Sequence, residues 1–251
     1  MIHYRFQWLP VRGFIIYRVV LALYTTVWTA VGVFERRGDG VKWLIFLTNW
    51  SYTFLNLHCI VSTIIVVCYH CTRQERSQQE DDNEPDDVAT VTNATSRFLM
   101  ACKASWVIYN IAANVAFPVT AMYWGLVHIP GSDFDSVTFN AHALNSVIVV
   151  LDTMISCIPV KLLHIIYPAM FIASYEIFSI IYWACGGTDP DNKPYIYPAL
   201  DYGGHPQRAA LTVCLFVFVG NVLSQLFIFG LYQLRVWLKS SRHTVAYMGD
   251  I

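Results

Sequence analysis

The sequence predicts an all-α membrane protein, a bundle of six transmembrane helices forming one domain over residues 1–251, with both termini on the cytosolic side. Three observations carry this. The chain is 56% hydrophobic and 13% charged, where soluble domains average roughly 45–50% apolar and about 25% charged. Its apolar residues gather in runs that meet the ~20 residues a bilayer crossing needs. Its Lys and Arg residues divide unequally between the two faces those runs define.

The runs lie at about 14–34, 43–69, 103–128, 139–160, 163–184 and 210–237. The first follows Arg5 and Arg12, as a signal peptide would. It contains Arg18 and exceeds the ~7–15 apolar residues of a signal core, so it reads as a retained signal anchor. The second opens with "KWLIFLTNWSYTFLNLHCIV" from Lys42. Between the second and third, at about 71–102, the tract "RQERSQQEDDNEPDD" has too little apolar surface to fold, which predicts a disordered acidic cytosolic linker. Ahead of the sixth run, "CGGTDPDNKPYIYPALDYGGHPQR" combines turn-forming steps with Tyr195, Tyr197 and Tyr202. Those aromatics suit the headgroup level and predict a compact outer lid. With Arg18 set aside, ten basic residues, Arg235 and Lys239 among them, fall on the side of the termini and five on the other. That asymmetry places both termini inside.

Several function classes drop out. A net charge of −1, without basic clusters, gives no electrostatic case for nucleic acid. The seven cysteines are scattered in or beside apolar runs, so no disulfide framework is expected. The histidines in the runs are isolated, and neither a His-Glu-x-x-His motif nor a Gly-rich phosphate loop is present. No metal and no cofactor are therefore expected. The expected partner is membrane lipid, in the plasma membrane or the endoplasmic reticulum.

Polar residues inside the runs are the informative ones. In the second run, Thr48, Tyr52, Cys59, Ser62 and Thr63 share one helical face. In the fourth, His142, Asn145 and Ser146 do so, continued by Thr153 and Ser156. Both stripes are expected to face the bundle interior, because lipid offers no hydrogen-bond partners. Counted from the run ends, Thr48 and His142 lie at nearly one depth, under ~10 Å from the outer interface. A hydroxyl and an imidazole at one level are the minimum geometry for a nucleophile and its base. The same residues also serve as interhelical hydrogen-bond glue. Intramembrane charges lean toward function or pairing. Depth suggests an Arg18–Asp152 ion pair and a Glu176–His58 pair.

Four blocks, "KWLIFLTNW", "HALNSVIVVLD", "YEIFSIIYWACGGT" and "YIYPALD", resemble the rolling-stone family of multipass membrane proteins. That likeness covers nearly the whole chain and implies a role in myoblast fusion. A more distant resemblance is to the androgen-induced and androgen-dependent transmembrane hydrolases. It rests on "WLIFLTNW", on His142 ten residues before Asp152, and on "YIYPAL". It implies Thr48 as nucleophile, His142 as base, and fatty acid esters of hydroxy fatty acids as substrates. Where those hydrolases carry a second histidine, this chain has Phe139. On that scheme Asn49 and Asn145 are the nearest oxyanion donors. Asp152 lies ~15 Å along the helix from His142, too far to orient it, and Asp201 in the outer loop is the candidate orienter. The competing reading is a non-enzymatic membrane component of cell–cell fusion or adhesion.

Overall fold

The computed structural model describes residues 10–82, 88–128 and 135–249. Among the described residues, all regular structure is helical. The helices are α1 (Val11–Glu35), α2 (Leu47–Asp82), α3 (Val88–Met122), α4 (Ser136–Ile155), α5 (Ile166–Ala184) and α6 (Pro206–Ser241, continuing to Gly249). Each contains, or with the 3-10 turn Leu162–Ile165 completes, a segment long and apolar enough to cross a bilayer. The chain is thus an integral, multipass membrane protein of the all-α class.

α3 is the hub, packing against α2, α4, α5 and α6, while α1 packs on α2. Small residues make this possible. Ala112, Ala113 and Ala116 of α3 are buried, and their missing side-chain bulk lets neighbouring backbones approach. One core gathers Tyr52, Leu55, Tyr109, Val149 and Ile228. A second gathers Leu47, Val119, Ile172, Tyr175 and Phe216.

Several boundaries depart from the sequence expectation, each for a local reason. Trp43–Ile45, expected as helix, belong to a 3-10 segment, Arg37–Ile45, in which Gly40 takes a φ of 55°. Phe46 is extended, so α2 begins at Leu47 and Thr48 stands in its first turn. α4 starts before residue 139 because the Asp135 carboxylate caps it, accepting from the Val137 and Thr138 N–H groups at 3.0 and 3.3 Å. It ends at Ile155 rather than near 160, since Ser156 is extended and Pro159 disfavours helix in the residue before it. The carbonyls freed there are satisfied by Arg235 of α6, which donates to those of Thr153, Ser156 and Ile158. Arg235, counted from sequence among the basic residues on the side of the termini, is a buried helix cap. Where a disordered linker is expected at about 71–102, α2 runs to Asp82 and α3 starts at Val88, and residues 83–87 lie outside the described residues.

Among the described residues, three π-turns end or interrupt the helices: Tyr123–Val127 after α3, Asn140–Leu144 within α4 and Leu215–Gly220 within α6. Such turns insert an extra residue and re-aim the side chains beside it. All three border the same cavity.

Candidate functional site

The cavity has a volume of about 350 Å³. Its walls come from the start of α2 (Phe46–Asn49), the end of α3 with Tyr123, and α4 (Val137–His142). Tyr175 and Glu176 of α5, the loop Ile196–Leu200, and Thr212 and Phe216 of α6 complete it. Most of this surface is apolar. Arg36, with its side chain half exposed, joins the lining and contacts Asp135 at 4.0 Å.

Thr48 and His142 both line this cavity. Thr48 is in the first turn of α2, because the preceding 3-10 segment ends at Ile45 and Phe46 is extended, whereas His142 lies about two turns into α4. Among the described residues no hydrogen bond joins the two side chains. The Thr48 hydroxyl lies instead within reach of the Tyr197 hydroxyl. Tyr197 also accepts the Leu47 N–H at 3.0 Å, so a tyrosine from the loop between α5 and α6 caps the N-terminus of α2. Phe46 packs edge-on against its ring. Burial pushes the Tyr197 phenol up, so it keeps its proton. His142 sits on the π-turn of α4 and stacks on Tyr123 with ring centroids 3.8 Å apart and planes 11° from parallel. Its Nδ1 is buried with no hydrogen-bond partner.

The other expected residues separate into three groups. Asn49 lines the cavity, but its amide donates to the Trp43 carbonyl at 2.7 Å, leaving one N–H for a ligand. Asn145 does not line it. It is fully buried and reaches Ser51 at 3.4 Å, since the π-turn ahead of it turns its side chain into the helix interface. Asp201 does not orient His142 either. It accepts from the Gly204 N–H at 2.8 Å and contacts His205 at 3.1 Å, and those two contacts, Gly204 first, hold its carboxyl below the usual range.

The buried charges pair differently from the depth count. The Arg18–Asp152 ion pair is present, at 2.9 Å. The Glu176–His58 pair is not. His58 Nε2 lies 2.8 Å from Asp152 instead, because α4 brings Asp152 between α1 and α2 while Glu176 is carried on α5. Ser156 at 2.6 Å and Tyr17 at 3.2 Å complete the donors around Asp152. Glu176 faces the cavity.

Sequence reasoning missed Tyr197 and Tyr123 as site residues and Arg235 as a cap. The only signal for Tyr197 was its place in "YIYPAL". Cys68 and Cys71 stand at Cys-x-x-Cys spacing on α2, but both are exposed and unpaired. Among the described residues no group of three His, Cys, Asp or Glu side chains is placed to hold a metal ion.

These features define a polytopic helical membrane protein with a mostly apolar cavity, bordered by three π-turns and entered by a threonine, a histidine and a glutamate. The family described as Protein rolling stone matches residues 1–248, and this chain belongs to that family. It is similar to Protein rolling stone of Drosophila melanogaster, with 29% identity over 243 residues, covering 92% of this chain and 82% of that protein. No solved structure matches.

Proposed function

We propose that this chain is an intramembrane lipid ester hydrolase in which Thr48 attacks the ester and His142 moves the proton. The observation that carries this reading is that Thr48 and His142, on different helices, line one cavity. The unpartnered buried Nδ1 of His142 supports it, because an imidazole held only by ring stacking retains a nitrogen for proton transfer.

On this scheme a membrane lipid enters the apolar cavity with its ester carbonyl near the start of α2. His142 takes the proton as the Thr48 hydroxyl oxygen attacks, and a tetrahedral intermediate forms. The first-turn N–H groups of α2 are taken up by Tyr197 and the Phe46 carbonyl, so the remaining Asn49 side-chain N–H is the donor offered to its oxyanion. The alcohol leaves with the proton from His142, giving an acyl-threonine. Water then attacks the acyl carbon, again giving its proton to His142, and the fatty acid departs as Thr48 regains a proton. Tyr197 holds the first turn of α2, and hence Thr48, in place. Fatty acid esters of hydroxy fatty acids are one substrate class compatible with such a cavity.

The test is labelling by a lipid-tailed fluorophosphonate in membranes expressing wild type, Thr48→Ala and His142→Ala at equal levels. Labelling of wild type that disappears in both variants is the expected result. A folded wild type that takes no label removes the enzyme reading and leaves a non-enzymatic membrane component of cell–cell fusion.

A further inference from the structure

Glu176 is a buried carboxyl on the cavity wall for which the hydrolysis scheme has no use. α5 holds it at 7% exposure, lining the cavity, about 12 Å along the helix from its Ala184 end. Its Oε2 has no hydrogen-bond partner. Among the described residues no cation pairs with it, and the one cation that lines the cavity, Arg36, is drawn toward Asp135.

Two hydroxyls stand beside it, those of Ser179 and Tyr202. Ser179 donates to the Glu176 backbone carbonyl at 2.9 Å, and its oxygen lies 2.7 Å from the Tyr202 hydroxyl. Both hydroxyls also lie within hydrogen-bond reach of the carboxyl, yet its Oε2 is left without a partner. A buried acceptor without a donor is costly, and this one belongs to a residue on the cavity wall.

We propose that Glu176 recognises a free hydroxyl on the lipid that occupies the cavity. The preferred substrate is then a partial ester, one that carries an unesterified hydroxyl beside the scissile bond. A hydroxyl fits for two reasons. It satisfies the carboxyl whether that group is ionised or protonated, because it both donates and accepts. It also needs no second charge in an apolar chamber walled by Phe46, Val119, Leu200 and Phe216, where an ammonium would have to be stripped of water. The word substrate rests on the hydrolase reading, while the recognition of a hydroxylated lipid rests on the cavity alone.

The experiment uses the full-length chain carrying Thr48→Ala in lipid nanodiscs, so that binding is read with turnover removed. The ligands are 2-monooleoylglycerol, methyl oleate with the same acyl chain and no hydroxyl, and oleylamine, each competing against a fluorescent fatty acyl probe. Monooleoylglycerol is expected to bind about tenfold more tightly than methyl oleate, the worth of one buried hydrogen bond. That preference should fall to about twofold or less in Glu176→Ala and survive in Glu176→Gln, whose carbonyl still accepts the hydroxyl proton. Glu176→Met, closer in volume, replaces the alanine variant if the latter does not fold. A preference unchanged in the alanine or methionine variant overturns the proposal. So does tightest binding of oleylamine that Glu176→Gln abolishes, which would make the site one for cations. Failure of fluorophosphonate labelling leaves this assay readable, and failure of this assay leaves the labelling result intact.

Discussion

Asp152 and Glu176 are both carboxyl groups buried in apolar helices, at 2% and 7% exposure, yet their surroundings differ in kind. Around Asp152 four donors converge from two helices and the extended segment after α4: Arg18, Tyr17, His58 and Ser156. The Arg18 guanidinium is further sheltered by the Phe14 ring at 5.1 Å. Around Glu176, one carboxyl oxygen is left with none. A satisfied buried carboxylate ties helices together and has nothing left to offer a ligand. An unsatisfied one on a cavity wall is a binding group waiting for its donor. The same contrast separates His58, hydrogen-bonded to Asp152 and within 3.2 Å of Ser62, from His142, whose Nδ1 is unpartnered.

The contrast is broken or sharpened by substitution. Asp152→Ala should have the largest effect, because it strands Arg18 and His58 in the bundle without their anion. A loss of about 3–5 kcal/mol is expected, read from thermal unfolding of the purified protein in detergent. A loss below about 1 kcal/mol would mean that the cluster is not what binds α1, α2 and α4. Tyr197→Phe keeps the ring against Phe46 but removes the hydroxyl that caps α2. It should cost about 1 kcal/mol and slow fluorophosphonate labelling, since Thr48 loses its positioning neighbour. Unfolding and labelling rate measured on one preparation check both parts. Glu176→Gln should move stability least, by less than about 1 kcal/mol, because the amide carbonyl can still accept from the neighbouring Ser179 and Tyr202 hydroxyls. A large melting-point drop there would place Glu176 with Asp152 as a structural group.

How far the sequence reached follows from what depth counting can see. Six apolar runs, and a cation and an anion that must pair inside them, are visible because hydrocarbon penalises any other arrangement. Arg18 and Asp152 were legible for that reason. Thr48 and His142 were legible as residues turned inward, since each lay on a polar stripe, and both line the cavity. Depth, however, says nothing of which helices are neighbours, so Glu176 was matched with His58 although α4 supplies the nearer carboxylate. Counting also assumes unbroken helices. The extended Phe46, the early end of α4 at Ile155 and the π-turn at Asn140–Leu144 each shift side chains by a fraction of a turn. That shift is what turned Asn145 toward Ser51 and brought Tyr197 to Thr48. The assignment of both termini to the cytosolic side rests on the distribution of Lys and Arg alone. Burial of Arg235 takes one cation out of that count.

Arg235 also ties the molecule to the order of its own synthesis. The three carbonyls that it satisfies at the end of α4 lie 82, 79 and 77 residues before it in the chain. At the ~5–20 residues per second of translation, the end of α4 waits about 4–16 s for its donor to be made. Through that interval those carbonyls need water or the insertion machinery as a stand-in. The fourth helix is thus finished by the last one, and a ribosome that stops before α6 releases a chain whose midsection cannot seal itself from the membrane.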